Sequence, residues 1–261
     1  MNPVIEDLLS RKSVRVFENK PITDDVKQAI LTAAVNAPTA GNQQLYTILD
    51  ITDQAIKDRL SVTCDNQPFI AKAPMVLIFC ADAQKWYDLY VSCGCDPESP
   101  SSGDLMLAVD DAVIAAQNSV TAAWSLGVGS CYIGDIMEHC EEHRELLHLP
   151  QYVFPAAMLV FGYPTKQQQE RPKPTRCDMK YIVRENGYHR MEGAELREML
   201  LEQPQHQTFE EWGQAFYSRK YNSAFAKEMG RSVEIYLNEF KRGSSGDKLE
   251  KVPVAGERTH I

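Results

Sequence analysis

Hydrophobic positions along this chain follow three patterns, and each predicts a different kind of element. Helical spacing of three and four residues appears over Asn2–Leu9, with Val4, Ile5, Leu8 and Leu9 on one side. It recurs over Val26–Asn36, with Val26, Ile30, Ala33 and Ala34, and again over Gln54–Val62 and His139–Leu149. Alternation over Leu45–Ile51 predicts a strand. Two continuous apolar runs of strand length, Pro74–Ala81 and Phe154–Phe161, predict interior strands covered on both faces. The most distinctive stretch is Asp104–Met137. Its first part is Ala-rich and apolar on nearly every side, which predicts a buried helix. Asp110, Asp111, Gln117 and Asn118 interrupt it too often for a membrane span. Gly127 stands where a left-handed C-terminal cap is expected, and a short glycine-bounded segment, Val128–Gly134, follows, where glycines permit close approach of the backbone to a ligand.

The last third reads differently. Thr208–Glu211 has the form of a capping box, and Phe209, Trp212, Phe216, Tyr217, Tyr221, Phe225, Met229, Val233, Tyr236, Leu237 and Phe240 then recur at three- and four-residue steps. Such a stripe predicts helices that pack on the main body or on a partner subunit. The tail from Gly243 is polar and is expected to be loose.

Bulk properties narrow the class. A chain of 261 residues with 44% hydrophobic content can bury a full core. Its net charge of −9 argues against a general nucleic-acid binder, so any phosphate must be met by local clusters of Arg and Lys. Seven cysteines, odd in number and without a Cys-x-x-Cys pair, favour a reduced cytoplasmic setting, as does the missing signal peptide. Cys93-Gly94-Cys95 is a weak redox or metal suggestion. His139 and His143 lack the glutamate placement of a zinc-protease helix and are read as surface histidines.

Three stretches carry candidate chemistry. Around Ser13 the period changes to two, so Arg11, Ser13 and Arg15 share one face of an extended segment and Val14 and Val16 the other. Two guanidinium groups beside a hydroxyl make an anion clamp, although a solvated basic edge strand reads the same way. Ala37–Gln44 is rich in small residues and amides, which suit a neutral heteroaromatic ligand or simply a turn. Arg171 and Lys173, in a segment held extended by Pro172 and Pro174, share a face.

Taken in order, these stretches resemble the FMN-dependent nitroreductase family. Its opening Arg-x-Ser-x-Arg-x-Phe appears as Arg11, Ser13, Arg15 and Phe17, and its small-residue and amide motif as Ala37–Tyr46. Its glycine turn with an aromatic-Ile-Gly appears as Gly127–Gly134, and its late Gly-Tyr-Pro with basic residues as Gly162–Pro164, Arg171, Lys173 and Arg176. Departures are Thr39 for Ser and Leu45-Tyr46 for Pro-Trp. The resemblance covers about residues 1–190 and leaves residues 191–261 as a C-terminal helical extension and tail.

That resemblance implies an α+β three-layer fold, with a central, mostly antiparallel sheet surrounded by helices. It also implies a homodimer with FMN at the interface. Arg11, Arg171 and Lys173 would hold the phosphate, with Ser13 and Arg15 lining the flavin. Thr39, Ala40 and Asn42 would face the ring or ribityl chain, and Gln67 the pyrimidine edge. Tyr132, Ile133 and Gly134 would run along the ring. The implied activity is transfer of hydride from NADH or NADPH to a nitroaromatic, quinone or related small-molecule acceptor by a ping-pong mechanism, with the chemistry carried by FMN. The alternatives are another flavin chemistry on the same fold (dehalogenation, flavin reduction or destruction, ring dehydrogenation) and a non-enzymatic flavin or thiol redox module using Cys93 and Cys95.

Overall fold

The structure is a computed structural model that describes residues 2–200 and 207–241. The polar tail expected from Gly243 lies outside them. In chain order the elements are α1 (Pro3–Ser10), α2 (Asp24–Val35), β1 (Tyr46–Asp50), α3 (Gln54–Thr63), α4 (Phe69–Lys72), β2 (Met75–Asp82), α5 (Gln84–Ser92) and α6 (Ser102–Ser125). Then come β3 (Gly129–Ile133), α7 (Cys140–Leu147), β4 (Val153–Gly162), α8 (Lys166–Glu170), α9 (Ala194–Met199), α10 (Phe209–Lys220) and α11 (Ala224–Glu239). The four strands form one antiparallel sheet in the order β1-β2-β4-β3.

The two continuous apolar runs occupy the centre of that sheet, buried at every position. Alternation divides them between two cores. Leu77, Phe79 and Ala81, with Leu159 and Phe161, face α2, α6 and α11. Val76, Ile78 and Cys80, with Met158 and Val160, face α3, α4 and the 131–149 region. Helices on both faces of an antiparallel sheet are the expected three-layer architecture. A proline inside a central strand is tolerated only at an irregularity, and Pro155 sits opposite Cys80 where the register shifts.

Helix α6 is the spine of one layer. A Ser101–Asp104 capping box starts it, and it ends before Gly127, whose φ is +75° as its cap position requires. Its alanines, Ala108, Ala112, Ala115, Ala116 and Ala123, are fully buried and let it lie close against the sheet.

Two glycines paired across β3 and β4, Gly129 and Gly162, create the seat of the N-terminal segment. A Cβ on Gly129 would lie 2.6 Å from Val14, and one on Gly162 would lie 2.6 Å from the Phe17 ring. In that space Ser13 bridges Ser130 in parallel, and the Val14 N–H donates to the Ser130 carbonyl at 2.9 Å. Gly129 therefore makes room for the chain's own Val14 and not for a ligand.

Several local expectations change. Val14 is fully buried but Val16 is exposed, because the segment passes from Ser130 on β3 to a bridge between Phe17 and Pro164, beyond the end of β4. Thr23 precedes α2 without capping it by its hydroxyl. His143 is not a surface residue. It is fully buried, with Nδ1 at 2.9 Å from the Ile136 carbonyl and Nε2 at 2.8 Å from Thr63 Oγ1. Those two polar partners offset the cost of burying an imidazole, which a helical wheel cannot reveal. The aromatic stripe also splits. Tyr236 and Phe240 on and after α11 bury against Phe154 and Tyr152, whereas Phe216, Tyr217 and Tyr221 on and after α10 stay exposed.

Candidate functional site

Folding brings the two basic stretches together. Arg171 Nη2 donates to the Ser13 carbonyl at 3.1 Å, Lys173 Nζ to the Leu9 carbonyl at 2.6 Å, and Lys12 Nζ to the Gln169 carbonyl at 2.6 Å. The segment after β4 thus lies against the end of α1. These cations bond carbonyls, not acids. Among the described residues, none of the ion pairs involves Arg11, Lys12, Arg15, Arg171, Lys173 or Arg176. Arg11 Nη1 is buried without any hydrogen-bond partner. Burial, then the positive charges of Arg176 and Arg11, hold the Lys173 ammonium below its ordinary pKa. A crowded group of cations with an orphaned buried N–H fits an anion. Lys12, which the sequence reading did not name, ties the chain just after α1 to the same 169–171 segment.

The turn after β3 adjoins the cluster. Tyr132 is half-buried with its hydroxyl 3.4 Å from Gln117 Oε1 on α6. Burial pushes its phenol up to about 12, while the nearby Arg11 charge pulls the other way. Ile133 is 2% exposed and packs among Cys131, Met158 and Val160, so its side chain belongs to the core and only its backbone is left for a ligand. Gly134 is exposed, and nothing lies within 4 Å of where its Cβ would be. The Gln67 amide donates to Asp135 Oδ2 at 3.2 Å and to the Cys64 carbonyl at 2.8 Å, which fixes it beside this turn.

The amide-rich loop is built by a residue that its own sequence does not contain. Asp111 of α6 is 3% exposed. It accepts from Thr39 Oγ1, from the Ala40 N–H at 3.0 Å and from the Leu45 N–H at 3.0 Å. Thr39 Oγ1 in turn accepts from the Gln44 N–H at 2.8 Å. Gly41, Asn42 and Gln44 all have positive φ, a strained conformation for the last two that this bonding sustains. Thr39 and Ala40 therefore spend their donors inside the protein, while Asn42 is exposed at the tip with Oδ1 bonded to Gln44 Nε2. No hydrogen bond among the described residues joins this loop to the basic cluster or the Gly134 turn. In sequence Asp111 was only an interruption of an apolar helix, and a buried acid on an alanine-rich face was the signal available.

Next to the loop lies an open cavity of about 200 Å³ whose walls include Gln43, Leu45, Trp86, Tyr87, Tyr90 and Leu107. Trp86 Nε1 donates to the Gln43 carbonyl at 2.8 Å, tying α5 to the loop. No group of three or more His, Cys, Asp or Glu among the described residues could hold a metal ion, and none of their helices is long and apolar enough to cross a membrane.

Known proteins share this chain's sequence and fold. The family model described as Nitroreductase family matches residues 8–163. The oxygen-insensitive NADPH nitroreductase of Salmonella typhimurium is 34% identical over 188 residues, covering 72% of this chain and 75% of that protein. The FMN reductase (NADPH) of Bacillus subtilis is 31% identical over 191 residues, covering 72% and 76%. Among solved structures, the NADPH:FMN oxidoreductase from Vibrio harveyi complexed with NAD+ superposes with a TM-score of 0.72 at 26% identity, covering 92% of this chain and 99% of that one.

Proposed function

The chain belongs to the nitroreductase family, and from that premise we propose that it is an NAD(P)H-dependent FMN oxidoreductase that reduces nitroaromatics, quinones or related acceptors by a ping-pong mechanism. The observation that carries the cofactor assignment is the group of cations around the orphaned Arg11 Nη1, a ready site for a phosphate. Arg11, Arg171 and Lys173 would hold that phosphate, with Lys12 and Arg176 adding positive potential and Ser13 and Arg15 beside them. Tyr132, the Ile133 backbone and the open Gly134 would form the platform for the ring, and Gln67 its pyrimidine partner. Thr39 and Ala40 serve by shaping the loop, leaving Asn42 to meet the ligand. A flavin held by these residues would supply the hydride and electron transfer between nicotinamide and acceptor. The protein's cations favour the negative charge that reduction brings to this region.

A homodimer accompanies this reading. Val4, Leu8 and Leu9 on α1, Met106 and Val113 on α6, and Met179, Ile182 and Val183 all remain exposed. Exposed apolar side chains on these segments offer a surface of the kind that a partner subunit covers. The amide loop, unconnected to the cluster within one chain, would then serve the site of the partner subunit. All seven cysteines are free thiols, which supports a cytoplasmic setting.

The test is the visible spectrum of the purified protein before and after anaerobic NADH or NADPH. Flavin bands that bleach are expected. A protein that stays colourless after incubation with FMN would falsify the assignment.

A further inference from the structure

The turn after β3 carries a group that the reading above leaves unused. The backbone N–H of Glu138 closes the turn on the Asp135 carbonyl at 3.0 Å. Its side chain points inward: the residue is 5% exposed, and Oε1 is sealed from solvent without a hydrogen-bond partner. An ionised carboxylate in that position lacks the donors it needs, whereas a carboxylic acid costs far less to bury.

The charged groups around it sharpen the preference. Asp135 stands on the turn itself, Asp65 on the connector between α3 and α4, and Glu228 comes from α11. Arg231 on α11 is already shared between Glu228 and Glu141. From α7, His143 is buried and held below its ordinary pKa by that burial, and His139 is exposed. The Cys64 thiol, from the end of α3, is pushed up by burial and then by Asp135 and Glu138. Burial first, then Asp135, Asp65 and Glu228, raise the Glu138 carboxyl to about 7.

What Glu138 touches electrostatically is what holds the site. Asp135 accepts from Gln67, and Asp65 sits two residues before Gln67 in a left-handed conformation at φ +60°. A new charge on Glu138 repels both, one the acceptor of the Gln67–Asp135 hydrogen bond and the other two residues before its donor. We propose that Glu138 is a positioning residue that carries a proton in the folded protein and thereby keeps Gln67 and the Gly134 turn in register, and that its ionisation loosens this part of the pocket. The proposal rests on the reading of that turn as part of the FMN site.

The sign for stability is fixed. A carboxyl whose pKa rises on folding destabilises the fold as pH rises from about 4.5 to about 7, and the loss is complete above that. His143 tilts stability the other way, but equally in wild type and variant. The experiment therefore compares wild type with Glu138→Gln, which keeps the shape and cannot ionise. On the FMN-free protein, thermal midpoints between about pH 5 and pH 8 should fall by several degrees more in wild type than in the variant. The infrared band of a protonated carboxylic acid should disappear near pH 7 in wild type and be absent from the variant. With FMN as the probe, the ratio of Kd at about pH 8.5 to Kd at about pH 6 should be roughly threefold or more larger in wild type.

Should Glu138→Gln fail to fold, Asp65→Asn serves instead. Asparagine tolerates the left-handed backbone, and losing this negative charge should move the infrared transition to lower pH. Equal pH slopes in wild type and variant, or an absent band, overturn the proton on Glu138. Differing slopes with equal FMN ratios overturn its positioning role. If no FMN binds at any pH, the proposed function and the positioning role fail together, and the FMN-free measurements decide the proton alone.

Discussion

The loop at 39–45 and the basic cluster at 11–15 and 171–176 are both rich in polar groups, yet they are completed in opposite ways. In the loop, one buried carboxylate absorbs three donors, and Thr39, Ala40, Leu45 and Asp111 satisfy one another. In the cluster, cations crowd together, lean on carbonyls and leave Arg11 Nη1 with no partner. A region that closes its own hydrogen bonds sets shape. A region that leaves donors open, at a cost in stability, is built to be completed by a ligand. Removing a group from the first should therefore be felt in folding, and from the second in binding.

The largest effect expected from this contrast is that of Asp111→Ala. It strands a hydroxyl and two backbone N–H groups in a buried site and should cost about 3–5 kcal/mol of stability, read from urea unfolding. A midpoint unchanged from wild type would break the contrast at its stronger end. Arg11→Ala should do the reverse. Stability should stay within about 0.5 kcal/mol, while FMN affinity drops by about 1.5–3 kcal/mol, the scale of a charge-assisted hydrogen bond. Quenching of FMN fluorescence measures this, and equal affinities would remove Arg11 from the phosphate site. The smallest effect belongs to Arg231→Ala. That guanidinium is exposed and already paired with Glu141 and Glu228, so it neither shapes the loop nor awaits an anion. Both its unfolding midpoint and its FMN affinity should match wild type closely, and a large loss of affinity would show that cations outside the cluster matter as much.

The comparison also explains which features could be read from the residues. Pro74–Ala81 and Phe154–Phe161 read as buried strands because eight consecutive apolar side chains can be covered only from both sides. The cap at Gly127 was legible because a left-handed residue after a helix favours glycine. Gly129 was harder, since its missing side chain makes room for Val14, far away in sequence. His143 was misread for the same reason: its partners, Ile136 and Thr63, complete an environment that helical spacing does not encode. Ile133 sat inside a recognisable motif, yet its side chain serves the core.

The sequence by itself determined most of the long elements and the two central strands covered on both faces. Those follow from periodicity and composition, which act over a few neighbouring residues. Only the tertiary structure decided that Asp111 builds a loop 66 to 72 positions away, that Lys12 reaches the Gln169 carbonyl, and that Glu138 lies buried among acids. Burial and the charge of the surroundings determine what a polar side chain can do, and both are produced by contacts between segments that are distant along the chain.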